Sequence, residues 1–193
     1  MEKLVQPDDL LELDIRACIF GWDPNERYTL MCSVEIAAGV PEQVQRLLMT
    51  AKNLIVYSCF HYPFNLVAAQ TAFSALELAV RLRSDAEGIT DKVRGLHGAM
   101  QRAINEKWIA DDETLCHPMQ RQRVFSPEVG LTYLDIPPAE KFVEILGKVF
   151  PKYRNTLAHG SSIMDNLGAS MVLDVNRVIN QIFYKAPLAR VVA

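Results

Sequence analysis

Apolar side chains recur along most of this chain at steps of three and four residues, the spacing of amphipathic helices rather than the alternation of strands. Val44, Leu47, Leu48, Ala51, Leu54 and Ile55 form one such stripe on a helix that Pro41 opens, and Tyr62-Pro63 then breaks the chain. A second helix follows from about 64 to 83, with Leu66, Val67, Ala69, Phe73, Leu76, Val80 and Leu82 spread over most of its circumference. A helix apolar nearly all round belongs at the centre of a bundle. Its polar positions, Gln70, Ser74, Glu77 and Arg81, fall on one stripe, with Glu77 four residues ahead of Arg81 in the favourable order for an ion pair. A third spans about 91 to 108, with Val93, Leu96, Met100, Ala103 and Ile104 inward and His97 at the margin, where a structural histidine is the ordinary reading. Pro138 starts a further helix carrying Phe142, Ile145, Leu146, Val149 and Phe150, which Pro151 interrupts. After a loop over 160–168, a last helix holds Val172, Val175, Val178, Ile179, Ile182 and Phe183 on its apolar side.

The two remaining stretches are less regular. Asp23, Pro24 and Glu26 supply an N-cap acceptor, a proline at the first position and an acidic first turn, predicting a helix over 24–38 that Gly39 closes. Ahead of it, Leu11 to Arg16 alternates as a strand does, while Asp8, Asp9 and Gly21 suit a helix equally well, and both readings stay open. Residues 109–136 form an irregular insertion in which 121–125 and 131–136 can pair as a short hairpin around 126–130. The expected architecture is an all-α helical bundle of four to five core helices. One domain covers 1–193, with 1–40 as an N-terminal extension and 41–186 as the helical core.

Composition narrows the function. Half of the 193 residues are apolar and the net charge is −3, so no basic face announces a nucleic-acid partner, and contact with RNA has to come from a local patch. The same charge balance, without a basic recognition helix, disfavours a DNA-binding regulator. The first residues carry acidic groups where a secretion signal needs a basic start, and no apolar run approaches about 18 residues, so a cytoplasmic protein without membrane contact is expected. Cys18, Cys32, Cys59 and Cys116 lack metal-binding or disulfide-framework spacing, and Cys116-His117 supplies only two ligands. No cofactor or metal is expected.

Chemistry concentrates in Arg154-Asn155-Thr156-Leu157-Ala158-His159-Gly160. Arginine offers a permanent charge and a planar fork of donors for phosphate oxygens, and histidine exchanges protons near neutral pH. On an RNA phosphate, His159 would move protons, Arg154 would stabilise charge on the phosphoryl oxygens, and Asn155 would hold an oxygen or orient the imidazole. The ribose 2′-hydroxyl supplies the nucleophile, so no metal is required. The same letters also read as a helix stop, with cations in a last turn followed by glycine. On a regular helix Arg154 and His159 would point about 140° apart and lie about 7.5 Å apart along the axis. Convergence therefore needs a kink, a helix end or a second chain related by a two-fold axis. Glu77 and Arg81 are expected to support the site, as an intrahelical ion pair or as an anchor that positions Arg154.

Arg154, Asn155 and His159, placed between two helices near the carboxyl end of a helical chain, resemble the Arg-polar-to-His signature of HEPN domains. The stretch Ala72 to Arg81, with its internal Glu77, is similar to an early helix of that family. The resemblance covers roughly 41–186 and implies a HEPN-like bundle that dimerises, brings two motifs into one cleft and cleaves RNA without a metal. It further implies a toxin–antitoxin or defence setting with an antitoxin or other protein partner. The alternative it carries is a catalytically inactive dimeric module that binds a protein or a nucleotide.

Overall fold

A computed structural model describes residues 4–112, 115, 120–126, 130–136, 141–158 and 166–184. The described helices are α1 (Ile15–Ile19), α2 (Pro24–Cys32), α3 (Glu42–Tyr57), α4 (Phe64–Ala86), α5 (Gly95–Asn105), α6 (Phe142–Ala158) and α7 (Gly168–Tyr184). Strands β1 (Gln120–Ser126) and β2 (Gly130–Ile136) pair antiparallel, with Gln120 opposite Ile136 and Ser126 opposite Gly130. The fold is an all-α bundle with one hairpin set into the connection between α5 and α6.

The apolar helix predicted at the centre is there. α4 packs against α3, α5, α6 and α7. Ala68, Ala69, Ala72, Ala75 and Ala79 are all fully buried, and these short side chains let the neighbouring helices approach closely. Phe73 fills the larger gap, with its ring 5.3 Å from Phe150 and 6.3 Å from Tyr153 of α6. The apolar side of α7 is likewise enclosed from Val172 to Phe183. Each such side chain contributes about 1.5–3 kcal/mol over an exposed one.

Side chains distant in sequence set several element ends. α2 stops at Cys32 rather than 38, with the Ser33 hydroxyl donating to the Leu30 carbonyl at 2.7 Å. The segment beyond it is held by α7. Asn176 Nδ2 donates to the Val34 carbonyl at 2.9 Å, Asn180 Nδ2 to the Glu35 carbonyl at 2.7 Å, and the Ala37 N–H to Asn180 Oδ1 at 2.9 Å. Those bonds use backbone groups that a longer helix would have satisfied internally. α5 starts at Gly95 rather than 91, because Gly95 adopts φ +63° and separates the preceding stretch from the helix. α4 continues past Arg83 to Ala86, where Arg83 binds Glu87 at 2.5 Å and the Trp108 indole donates to Glu87 at 3.1 Å.

Pro151 does not interrupt α6, which runs through it to Ala158. The proline withholds the N–H that would reach the Gly147 carbonyl, but Phe150 and Tyr153 on either side are anchored on Phe73 and carry the helix across. At its start, Asp111 accepts the N–H groups of Phe142 at 2.7 Å and Val143 at 2.9 Å, closing the base of the hairpin insertion with a cap from 31 residues away. The predicted start at Pro138 lies outside the described residues. Gln181 of α7 clasps the chain after α5 by giving and receiving bonds with the Ala110 backbone at 3.0 and 2.9 Å.

The open segment at 11–16 becomes neither a strand nor a long helix. Asp14 caps the short α1 through the Arg16 N–H at 2.9 Å, pairs with the Arg16 guanidinium at 2.7 Å and accepts the Tyr62 N–H at 2.9 Å. Phe20, Trp22 and Tyr62 stack on one another, with Arg16 over Tyr62 and Arg27 over Trp22. This cluster fastens the first part of the extension, where Ala17 is buried while Leu4, Leu11, Ile15 and Ile19 remain exposed.

Two outcomes follow from these contacts. A Cβ on Gly168 would lie 2.6 Å from Asn65 Cγ, against a fully buried asparagine, so Gly168→Ala is expected to cost about 1–3 kcal/mol in chemical denaturation. The Arg16 guanidinium, aided by the Tyr62 N–H and opposed by burial, holds the Asp14 carboxyl at about 2, below its ordinary 3.8. Its contribution is therefore complete above the ordinary value and is lost as pH falls through the lowered one. The stability gap between wild type and Asp14→Asn should be widest near neutrality and shrink between about pH 4 and pH 2, read from urea midpoints across that range.

Candidate functional site

Arg154 and Asn155 sit near the described end of α6, and both side chains are exposed. Their neighbour Tyr153 turns inward onto Phe73, which fixes the rotation of this turn and directs the next two positions outward. No hydrogen bond or ion pair joins Arg154 or Asn155 to Glu77 or Arg81. His159, the proton-transfer candidate, lies outside the described residues.

The supporting pair is separated by the same packing. Glu77 follows Phe73 by one turn, about 6 Å along α4, on the stripe it shares with the exposed Ser74 and Arg81, and is half-buried. Arg81 is a further turn away and exposed, and lines a cleft of about 600 Å³ between the end of α4 and residues 88–93. The two helical neighbours do not form the expected ion pair. Glu77 is thus the member of the pair nearer the motif, and Arg81 belongs to different surroundings.

Two of the buried cations, Lys52 and Arg27, stand at positions of the apolar pattern. Lys52 stands on the inward stripe of α3 between Leu48 and Ile55, and Arg27 faces inward from α2. Arg27 lies 3.4 Å over the Trp22 ring and donates to Ser58 Oγ at 3.2 Å and the Ile55 carbonyl at 3.4 Å. Burial pulls its pKa down to about 10, so it stays charged at neutral pH, while burial of Cys59 beside it raises that thiol. Lys52 Nζ donates to the Val34 carbonyl, and burial lowers its pKa against the opposing influence of Cys32 and Glu35. A charged residue at an apolar-stripe position is the sequence signal for both.

Among the described residues, no three His, Cys, Asp or Glu side chains gather as a metal site would need, and no helix is long and apolar enough to cross a membrane. No protein-family model, curated protein or solved structure matches the chain. Exposure of Arg154 has a direct consequence: Arg154→Ala should change unfolding free energy by no more than about 0.5 kcal/mol, so any functional defect in that variant is separable from folding by thermal melts.

Proposed function

We propose that this protein is a HEPN-like endoribonuclease that cleaves RNA without a metal, acting as a homodimer in the cytoplasm in a toxin–antitoxin or defence setting with a protein antitoxin. The observation that carries this reading is the solvent-facing pair Arg154 and Asn155 on an α6 turn anchored from behind by Tyr153. An arginine held in an internal ion pair would have to give up that partner before binding phosphate; Arg154 has its fork available. The helical fold agrees with the resemblance read from the motif.

In the proposed reaction the ribose 2′-oxygen attacks the adjacent phosphorus and the bond from phosphorus to the 5′-oxygen breaks. The products are a 2′,3′-cyclic phosphate and a 5′-hydroxyl. One imidazole takes the proton of the 2′-hydroxyl and another delivers a proton to the leaving 5′-oxygen, which a two-fold dimer supplies as two copies of His159. Arg154 offsets the charge that builds on the phosphoryl oxygens, and Asn155 donates a hydrogen bond to one of them. Glu77, one turn from the anchoring Phe73, helps to position this end of α6.

The test is incubation of the protein with a mixed RNA pool in EDTA. Wild type should yield cyclic-phosphate ends, and His159→Ala and Arg154→Ala should each lower the rate by about a hundredfold or more. Absence of cleavage by a folded protein that scattering shows to be dimeric would overturn the enzyme reading in favour of the inactive interaction module.

A further inference from the structure

A second concave site lies well apart in the fold from the arginine motif, between α2, the 33–41 connection and α3. It encloses about 630 Å³, within the range of small-molecule pockets, and Arg154 is not among its lining residues. Met31, Val34, Ile36, Met49 and Val56 give it an apolar side, with Gln45 and Asn53 as polar neighbours. Lys52 also lines it, although the residue is only 7 % exposed. An ammonium carries three donors, and the Val34 carbonyl takes one of them. Among the described residues no carboxylate reaches Lys52 at ion-pair distance; Glu35 influences it only from further off and is itself exposed. A cation so placed is costly to keep, and the cost is relieved when an anion enters the same cavity and bonds to it.

The rim restricts which anion fits. Glu35 and Glu42 both border the cleft, and Arg46, the one cation there besides Lys52 among the lining residues, is bound to Glu42 at 2.6 Å. With Glu42 paired to Arg46, the charge of Glu35 remains at the rim; it repels a polyanion more than a single negative group on an apolar body, which buries its chain along the methionine and aliphatic walls. We propose that this cleft binds a small amphipathic carboxylate, with its apolar chain between α2 and α3 and its carboxylate on the Lys52 ammonium.

The whole protein, labelled with ¹³C at its methionine methyls, is titrated with decanoate, decanol and decylamine. Decanoate should shift the Met31 and Met49 signals saturably at sub-millimolar concentration, and at least about tenfold more tightly than decanol or decylamine, the factor expected for one charge-assisted hydrogen bond. Lys52→Met keeps the length and apolar stem of the side chain, and should weaken decanoate about tenfold or more while leaving decanol unchanged. Met49→Trp should block all binding by filling the cleft. Equal affinity for the three probes, no shift of the two methionines at millimolar decanoate, or undiminished decanoate binding by Lys52→Met would each overturn the proposal. Should Lys52→Met fail to fold, the ranking of the three probes on wild type decides it.

Discussion

Enclosure of α4 is the constraint on which the rest of the structure depends. A helix with five fully buried alanines and a buried Phe73 leaves only the stripe through Val67, Gln70, Ser74 and Arg81 to water, so four other helices gather around the rest of it. The alanines set how near those helices come, and Phe73 sets where α6 docks. The same contact carries α6 across Pro151. A residue that would end an isolated helix is tolerated here because the packing of Phe150 and Tyr153 on Phe73 offsets the roughly 3 kcal/mol that a proline inside a helix costs. The position of Arg154 is thus a consequence of core packing: Tyr153 is drawn in, and the residue beside it is turned out.

Core faces were legible in the sequence because a buried stripe repeats with the helix period whatever it packs against. Val44, Leu48, Ala51 and Ile55, and the whole Val172 to Phe183 series, are enclosed as their spacing predicts. The hairpin was legible because a stretch containing Pro127 and Gly130 separates two short segments, and these pair as expected. Helix ends were less so, because partners far along the chain decide them. Nothing local between Ser33 and Gly39 says that Asn176 and Asn180 will capture the backbone there, or that Asp111 will cap a helix that starts beyond an insertion. A local cap costs a short stretch of chain little entropy, whereas these distant ones form only once the bundle has brought their elements together.

The candidate site divides along the same line. Arg154 and Asn155 could be picked out by residue type, and their exposure follows from the stripe that Tyr153 and Phe150 define. The pairing of Glu77 with Arg81 could not be judged from their spacing, since four residues on a helix permit an ion pair without requiring one, and such a pair is worth only about 0.3–0.5 kcal/mol at a surface. Solvation and a separate cleft outweigh it at Arg81. Lys52 and Arg27 were visible as charges on apolar stripes, but only the folded arrangement distinguishes a lysine that reaches out to water from one whose ammonium ends at a carbonyl inside a cavity.

Where the cations reside bears on how an acidic protein can meet an anion at all. Arg27, Lys52 and Arg83 are withdrawn into the body, which leaves the surface more negative than the net charge of −3 conveys. Long-range steering of a polyanion is then weak, and recognition rests on short-range contacts at places where a cation is both reachable and without a carboxylate partner. Arg154 meets that condition at the surface and Lys52 meets it inside a cleft. They stand on helices that meet chiefly through α4, whose alanine-lined faces are buried against its neighbours. Coupling between sites needs an element with two states that both sites bias. The buried faces of α4 between the two proposed sites give no sign of such an element, so occupation of one is expected to leave the affinity of the other unchanged.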